Sequence, residues 1–352
     1  MRTHCLCLCA ALVLPAAWTV AAEEEAPSLD VRRAVPAEAY MAVYAKHNPE
    51  RDYQQAYFEE VWETVQETEI LERALKIVTD RVSEDDLEKA KSVLDELREA
   101  AAPIDVEAIL GAQEFVYAQT MQATSEELPP SGQHLVVLRL GPEGAAACRE
   151  GVTNLFGLVE KYSEGAVPVE TASEGDVALT FLALPGEMPF RPTVATVGDV
   201  LLLASTEALA RQGLERLVGG EGESKFDDPR LQEALSRLPE PEDALIFYDQ
   251  KTQFEKLREM GPFIRRVGAG DPSAQRVAEL VELVIDEVAV LDYEVTVQYT
   301  EGNLNRTAVY GKVLPGAERK VLAKVFTGGK PFKRWDAWVP AEALAYSLNP
   351  GA

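Results

Sequence analysis

Tyr293-Glu294-Val295-Thr296-Val297-Gln298-Tyr299 alternates apolar or aromatic side chains with polar ones. A period of two marks a strand with one buried face and one wet face. The turn Glu301-Gly302-Asn303 returns the chain through 305–311, so the stretch reads as an antiparallel hairpin. An antiparallel sheet with one buried face needs helices to cover it. Immediately upstream, 251–267 and 272–288 have helical spacing and are separated by Gly268-Ala269-Gly270. Before them stands the apolar strand Ala244-Leu245-Ile246-Phe247-Tyr248, and a short helix is expected near 317–326. The expected class is α+β, with antiparallel sheets packed against amphipathic helices.

The first half repeats these signals. Ala39-Tyr40-Met41-Ala42-Val43-Tyr44 reads as a strand, and Asn48-Pro49 after it reads as a helix cap and first helical residue. Apolar residues at Tyr53, Tyr57, Val61, Val65, Ile70, Leu71, Leu75, Val78 and Val82 predict a long amphipathic helix. Ser83-Glu84-Asp85-Asp86 resembles the capped start of a second one. Strands are expected at 114–120, 134–140, 178–184, 193–197 and 200–205, with Gly198-Asp199 as a tight turn between the last two. Helices are expected at 143–162 and 207–217. Gly219-Gly220-Glu221-Gly222-Glu223-Ser224 then reads as a flexible joint, and Asp228-Pro229 as a helix start.

Val35-Pro36-Ala37-Glu38-Ala39-Tyr40 returns as Val339-Pro340-Ala341-Glu342-Ala343-Leu344, with a weaker copy at Leu238-Pro239-Glu240-Pro241-Glu242-Asp243-Ala244-Leu245. In each, Pro and an acid precede an Ala that opens an apolar strand, and the copies starting at Val35 and Leu238 are followed by helices and a hairpin. Tandem duplication of an α+β unit explains this, although so short an opening can also recur by chance. The expected organisation is a signal peptide at 1–22, an acidic linker at 23–34 and a first subdomain with extra strands at 35–222. A second subdomain covers 223–338, and a third repeat-like strand starts at 339–352. These openings, with Val197-Gly198-Asp199-Val200-Leu201-Leu202-Leu203-Ala204-Ser205-Thr206-Glu207-Ala208-Leu209 and the amino-terminal export signal, resemble an uncharacterised group of exported bacterial proteins that share a large domain of unknown function. The resemblance implies no catalytic residues.

The export reading comes from the amino terminus. Arg2 is followed by an apolar run from Cys5 to Trp18, then Val20-Ala21-Ala22 and Glu23-Glu24-Glu25. That is the order of a secretory signal, cut after Ala22, with an apolar run too short to span a bilayer. Cys5, Cys7 and Cys9 would leave with it, so Cys148 is expected alone and buried, with no intrachain disulfide. The chain has 352 residues, 34 basic and 59 acidic, a formal charge of −25 that opposes binding to nucleic acid or anionic headgroups. No membrane span is expected.

The chemistry-bearing residues are sparse. Export leaves His47 and His134, too few for a His- and Cys-based metal site. Neither a Gly-x-Ser-x-Gly elbow nor a phosphate-binding loop is found: Gly219–Ser224 is acidic, and Gly328-Gly329-Lys330-Pro331 lacks the hydroxyl. Acid pairs such as Glu59-Glu60, Asp85-Asp86 and Asp227-Asp228 read as helix starts and wet faces. Asn305-Arg306-Thr307 matches a glycosylation sequon, taken as coincidental in a bacterial chain. Residues 319–334 carry Arg319, Lys320, Lys324, Lys330, Lys333 and Arg334 with no acid, interleaved with Phe326 and Phe332 and followed by Trp335 and Trp338. The strip reads as a partner of the protein's own acids, with its aromatics packing the subdomain joint; the alternative is an anion-binding or partner-binding strip. No catalytic, cofactor-binding or metal-ligating residue is assigned, and no cofactor is expected. The expectation is an exported non-enzymatic binding or scaffold protein of the bacterial cell envelope, with an envelope partner or ligand. The alternatives are a carboxylate-based hydrolase of envelope polysaccharide and a carrier of an apolar ligand.

Overall fold

The computed structural model describes residues 29–48, 84–104, 106–122, 129–185, 190–220, 222–301, 304–320 and 323. The signal peptide, the helix expected over 53–82, the repeat-like strand at 339–344 and most of the basic strip lie outside them. The strand that opened the sequence reading is β9 (Leu291–Glu301), and its period of two is realised in the packing. Tyr293, Val295 and Val297 are fully buried, and Glu294, Thr296 and Gln298 are half-exposed.

Nine further strands join β9: β1 (Met41–Lys46), β2 (Glu114–Gln122), β3 (Ser131–Arg139), β4 (Val169–Glu174), β5 (Val177–Leu182), β6 (Thr193–Val197), β7 (Val200–Ala204), β8 (Ala244–Tyr248) and β10 (Leu304–Val313). They form one antiparallel sheet in the order β10-β9-β8-β1-β2-β3-β7-β6-β5-β4. The protein is α+β, as its alternation predicts. Around the central β1–β8 pair the order is mirrored, β1-β2-β3 on one side and β8-β9-β10 on the other, with Val43 opposite Ile246 at the middle. Each trio is a strand, an intervening helical segment and a hairpin. Between β8 and β9 the helices are α6 (Gln250–Leu257), α7 (Met260–Val267) and α8 (Pro272–Val288). Between β1 and β2 the described helices are α1 (Glu84–Ala101) and α2 (Val106–Leu110).

The remaining helices cover opposite faces of the sheet. On one face α4 (Glu207–Gly219) and α5 (Pro229–Leu235) pack, with the 3-10 turn Val31–Ala34, over Val116, Leu135, Val137, Leu202, Leu245, Phe247, Tyr293 and Val295. On the other, α3 (Pro142–Tyr162) covers Leu138, Leu182, Val194 and Leu201. Val137 and Leu138, or Leu201 and Leu202, go to different cores because neighbours on a strand point to opposite faces. Cys148 of α3 is buried in the second core, as expected of a packed thiol.

Local chemistry explains most boundaries. Gly198 takes a left-handed φ of 58° at the turn joining β6 to β7, where Val197 pairs with Val200. Thr206 caps α4 through the Leu209 N–H at 3.2 Å, and Asp228 caps α5 through the Arg230 N–H at 2.9 Å. The helix expected over 251–267 is broken into α6 and α7. Gly261 lies just inside α7, and a Cβ there would collide with the Glu282 carboxylate of α8. The expected joint at 219–224 is tied to the amino-terminal segment. Arg33 donates to the Gly220 carbonyl at 2.5 Å, and Ser224 Oγ donates to the Arg32 carbonyl at 2.7 Å. Strand β4 was not anticipated.

Candidate functional site

Three groups of side chains stand out. The first is buried and ionic. Lys225 follows the 219–224 connection, Asp228 and Arg230 open α5, Asp249 follows β8 and Asp292 lies in β9. Lys225 Nζ is 2.7 Å from Asp249 Oδ2 and 3.3 Å from Asp228 Oδ2. Arg230 reaches Asp249 at 2.5 Å, Asp228 at 2.7 Å and Asp292 at 3.3 Å. Asp249 also accepts the Thr252 N–H at 3.0 Å and so caps α6. Its side chain is 0% exposed and that of Lys225 is 4% exposed. Burial pushes the Asp249 carboxyl upward, but the Arg230 and Lys225 hydrogen bonds outweigh burial and hold it at about 2. Both cations also lie over the Phe247 ring, at 5.1 and 5.7 Å from its centroid. Every member is engaged by another, so the group braces the joint, α5, α6 and the sheet. It is not poised for proton transfer.

The second group is a half-buried polar row across the sheet. Register places Glu294, Tyr248, Met41, Gln119 and His134 side by side on one face. Burial raises the Glu294 carboxyl and lowers the His134 imidazole. The two are four strand spacings apart, about 19 Å, too far to act on one bond. His134 Nδ1 is 2.8 Å from the Tyr117 hydroxyl, and the rings stack at 6.0 Å. A Cβ on Gly132 would lie 3.3 Å from Gln119 Nε2 and 3.7 Å from His134 Nε2, so glycine leaves that edge of the imidazole uncrowded. A titration of the His134 ring by NMR, assigned with His134→Gln, is expected to give a midpoint below 6.5. A midpoint above 6.5 would contradict the burial that sets it. Neutral at pH 7, this imidazole can exchange hydrogen bonds with a polar ligand but brings no charge.

The third group is apolar and lies on α8. Ala278 and Ile285 are buried, and Arg265 of α7 clasps Glu282 on α8 through two hydrogen bonds, one of them 2.7 Å. A different face carries Val277, Leu280, Leu283 and Val284, which are 48%, 59%, 66% and 49% exposed. Helical geometry puts these four on one stripe with Ser273, Arg276 and Glu287, all three exposed. These four are an exposed apolar stripe on an otherwise acidic chain.

His47 follows β1, and its N–H donates to the Gln113 carbonyl at 3.0 Å. Among the described residues no three His, Cys, Asp or Glu side chains converge as metal ligands, and no helix is long and apolar enough to cross a membrane. Lys320, near the start of the basic strip, donates to the carbonyls of Asp286, in the last turn of α8, and of Ala289, which follows it. The sequon residues Asn305, Arg306 and Thr307 sit exposed on β10. The α8 stripe escaped the sequence reading, which took 272–288 as an ordinary amphipathic helix. The available signal was an apolar arc too wide for a single interface. Comparison of the chain with protein-family models, curated proteins and solved structures returned no match.

Proposed function

We propose that this chain is an exported, non-enzymatic binding or scaffold protein of the bacterial cell envelope, and that it docks through the exposed face of α8. The α8 stripe carries this reading, because four large apolar side chains at helical spacing are held in water by a helix whose other face is anchored to α7. The engagement of Lys225, Arg230 and Asp249 with one another also supports binding over catalysis. The charge-hydrophobicity-small-residue order of residues 1–22 supports export. We read the trios β1-β2-β3 and β8-β9-β10 as duplicated units. Their mirrored order about the β1–β8 pair supports this, and so do the Pro-acid-Ala openings. They also support subdomains at 35–222 and 223–338.

The test is a photoreactive benzoylphenylalanine at Leu280 in cells exporting the full chain. Irradiation is expected to give an intermolecular adduct that disappears when Val284 and Leu283 are changed to Glu. A chain that forms no intermolecular adduct from position 280 would overturn the docking reading.

A further inference from the structure

Residues 29–35 are built into the first core. The 3-10 turn Val31–Ala34 packs on α4, β2 and β3, and Val31, Ala34 and Val35 are 0% exposed. The backbone of this segment is tied on two sides. Arg139 of β3, whose side chain is 6% exposed, donates to the Leu29 carbonyl and is itself fixed by Glu114 at 2.7 Å and Asp199 at 2.6 Å. On the other side, Ser224 Oγ donates to the Arg32 carbonyl and the Lys225 N–H donates to the Val35 carbonyl at 3.3 Å. Arg33 closes the same side by donating to the Gly220 carbonyl. The segment therefore joins β3 and α4 to the start of the second half of the chain.

Its distance from the export signal gives this packing a consequence. Between Ala22, where the signal is read to end, and Leu29 stand only the six residues 23–28. Fully extended, six residues reach about 20 Å. A signal whose cut site has reached the far side of a membrane obliges the chain after it to cross back through a hydrocarbon layer of about 30 Å. Residues 23–28 are too short to do this, so the residues from Leu29 onward must leave the fold. The signal cannot be engaged in a membrane while 29–35 stay docked.

We infer that residues 29–35 are a strap that couples export to folding. Engagement of the signal pulls the strap from the first core, and cleavage releases it to dock and close the fold. The inference rests on the export part of the proposed function and goes beyond it by naming a conformational device. Withdrawal empties the sites of Val31, Ala34 and Val35, takes one acceptor from the buried Arg139 guanidinium and frees the joint at 219–224. Opening at the amino terminus thus loosens contacts on both sides of that joint.

The test follows processing and export of the full chain in pulse-labelled cells. A spacer of about 12 Gly and Ser residues between Ala26 and Pro27 raises the reach to about 60 Å, enough to cross the membrane with the strap docked. The spacer is expected to slow export at least about threefold, because the latched fold must then open at its own unfolding rate. Adding Val31→Glu to the spacer is expected to restore the wild-type rate, since a carboxylate cannot seat in that buried site. A spacer that merely damaged the signal would not be rescued in this way. In purified chains starting at Glu23, Val31→Glu is expected to lower the denaturant midpoint. A spacer variant exported at the wild-type rate overturns the strap, as does failure of the rescue or an unchanged midpoint. A wild-type chain that is neither cut nor exported removes the export reading and the strap together, whereas normal export that ignores the spacer removes the strap alone.

Discussion

Replacing Asp249 by Ala is expected to destabilise the protein by about 3–5 kcal/mol at pH 7, read from denaturant unfolding. The carboxylate is fully buried and sits 2.7 Å from a Lys225 ammonium that is itself 4% exposed. Removing it leaves the buried Lys225 ammonium with only the longer Asp228 contact at 3.3 Å, which costs far more than the pair contributes in water. Arg230 is less affected, because Asp228 and Asp292 still hold it. Ala also removes the cap of α6, whereas Asn keeps an oxygen for the Thr252 N–H, so Asp249→Asn is expected to lose about 1 kcal/mol less. Pairing Asp249→Leu with Lys225→Met is expected to recover much of the loss, since removal of both charges leaves none stranded.

The same residue sets an acid limit. Its pKa falls from 3.8 to about 2 in the folded state, so its stabilisation is full above the unfolded value and is lost as pH falls through the folded one. That contribution is about 2–3 kcal/mol and disappears between roughly pH 4 and pH 2. The gap between wild type and Asp249→Asn should narrow over that window. A gap below about 1 kcal/mol at pH 7, or one that does not shrink in acid, would remove the cluster's role as a brace.

How much of this was legible depends on whether the signal was local. Alternation at 293–299, the strand 244–248 and the helix 272–288 were readable, because burial of one face writes a period into consecutive residues. Strand β4 was not. Val169-Glu170-Thr171-Ala172-Ser173-Glu174 lies at the edge of the sheet and is largely wet, so no alternation is imposed on it, and its acids discourage edge-to-edge pairing. The break between α6 and α7 was written in Gly261-Pro262, a breaker pair that regular apolar spacing obscured. The ionic brace had no local signature. Lys225, Arg230, Asp249 and Asp292 are scattered along the chain and converge because α5 and the β8–α6 junction fold over the same stretch of sheet. Asp228-Pro229 could be read as a helix start, but not as the anchor of Arg230. The joint at 219–224 has the glycine content of a free linker and is pinned by residues nearly two hundred positions earlier.

Phe247→Ala is expected to match Asp249→Ala in size, about 3–5 kcal/mol, for a different reason. The ring is fully buried at the middle of the sheet and packs edge-on against Tyr293 at 5.9 Å. Truncation empties that space and also removes the aromatic face under Lys225 and Arg230, a contact worth about 2 kcal/mol when desolvated. Phe247→Leu keeps most of the volume and is expected to cost about 1–2 kcal/mol. The position also reports on how the mirrored trios are coupled. Phe247 pairs with Ala42 of β1 on one side and Val295 of β9 on the other, so it belongs to the seam between the halves. If the ten strands unfold as one unit, hydrogen exchange in Phe247→Ala should accelerate by the same factor for the slowest amides of β2 and of β9. Faster exchange confined to β8, β9 and β10 would instead mean that the second trio opens alone. The central β1–β8 pair would then be a hinge between two folding units.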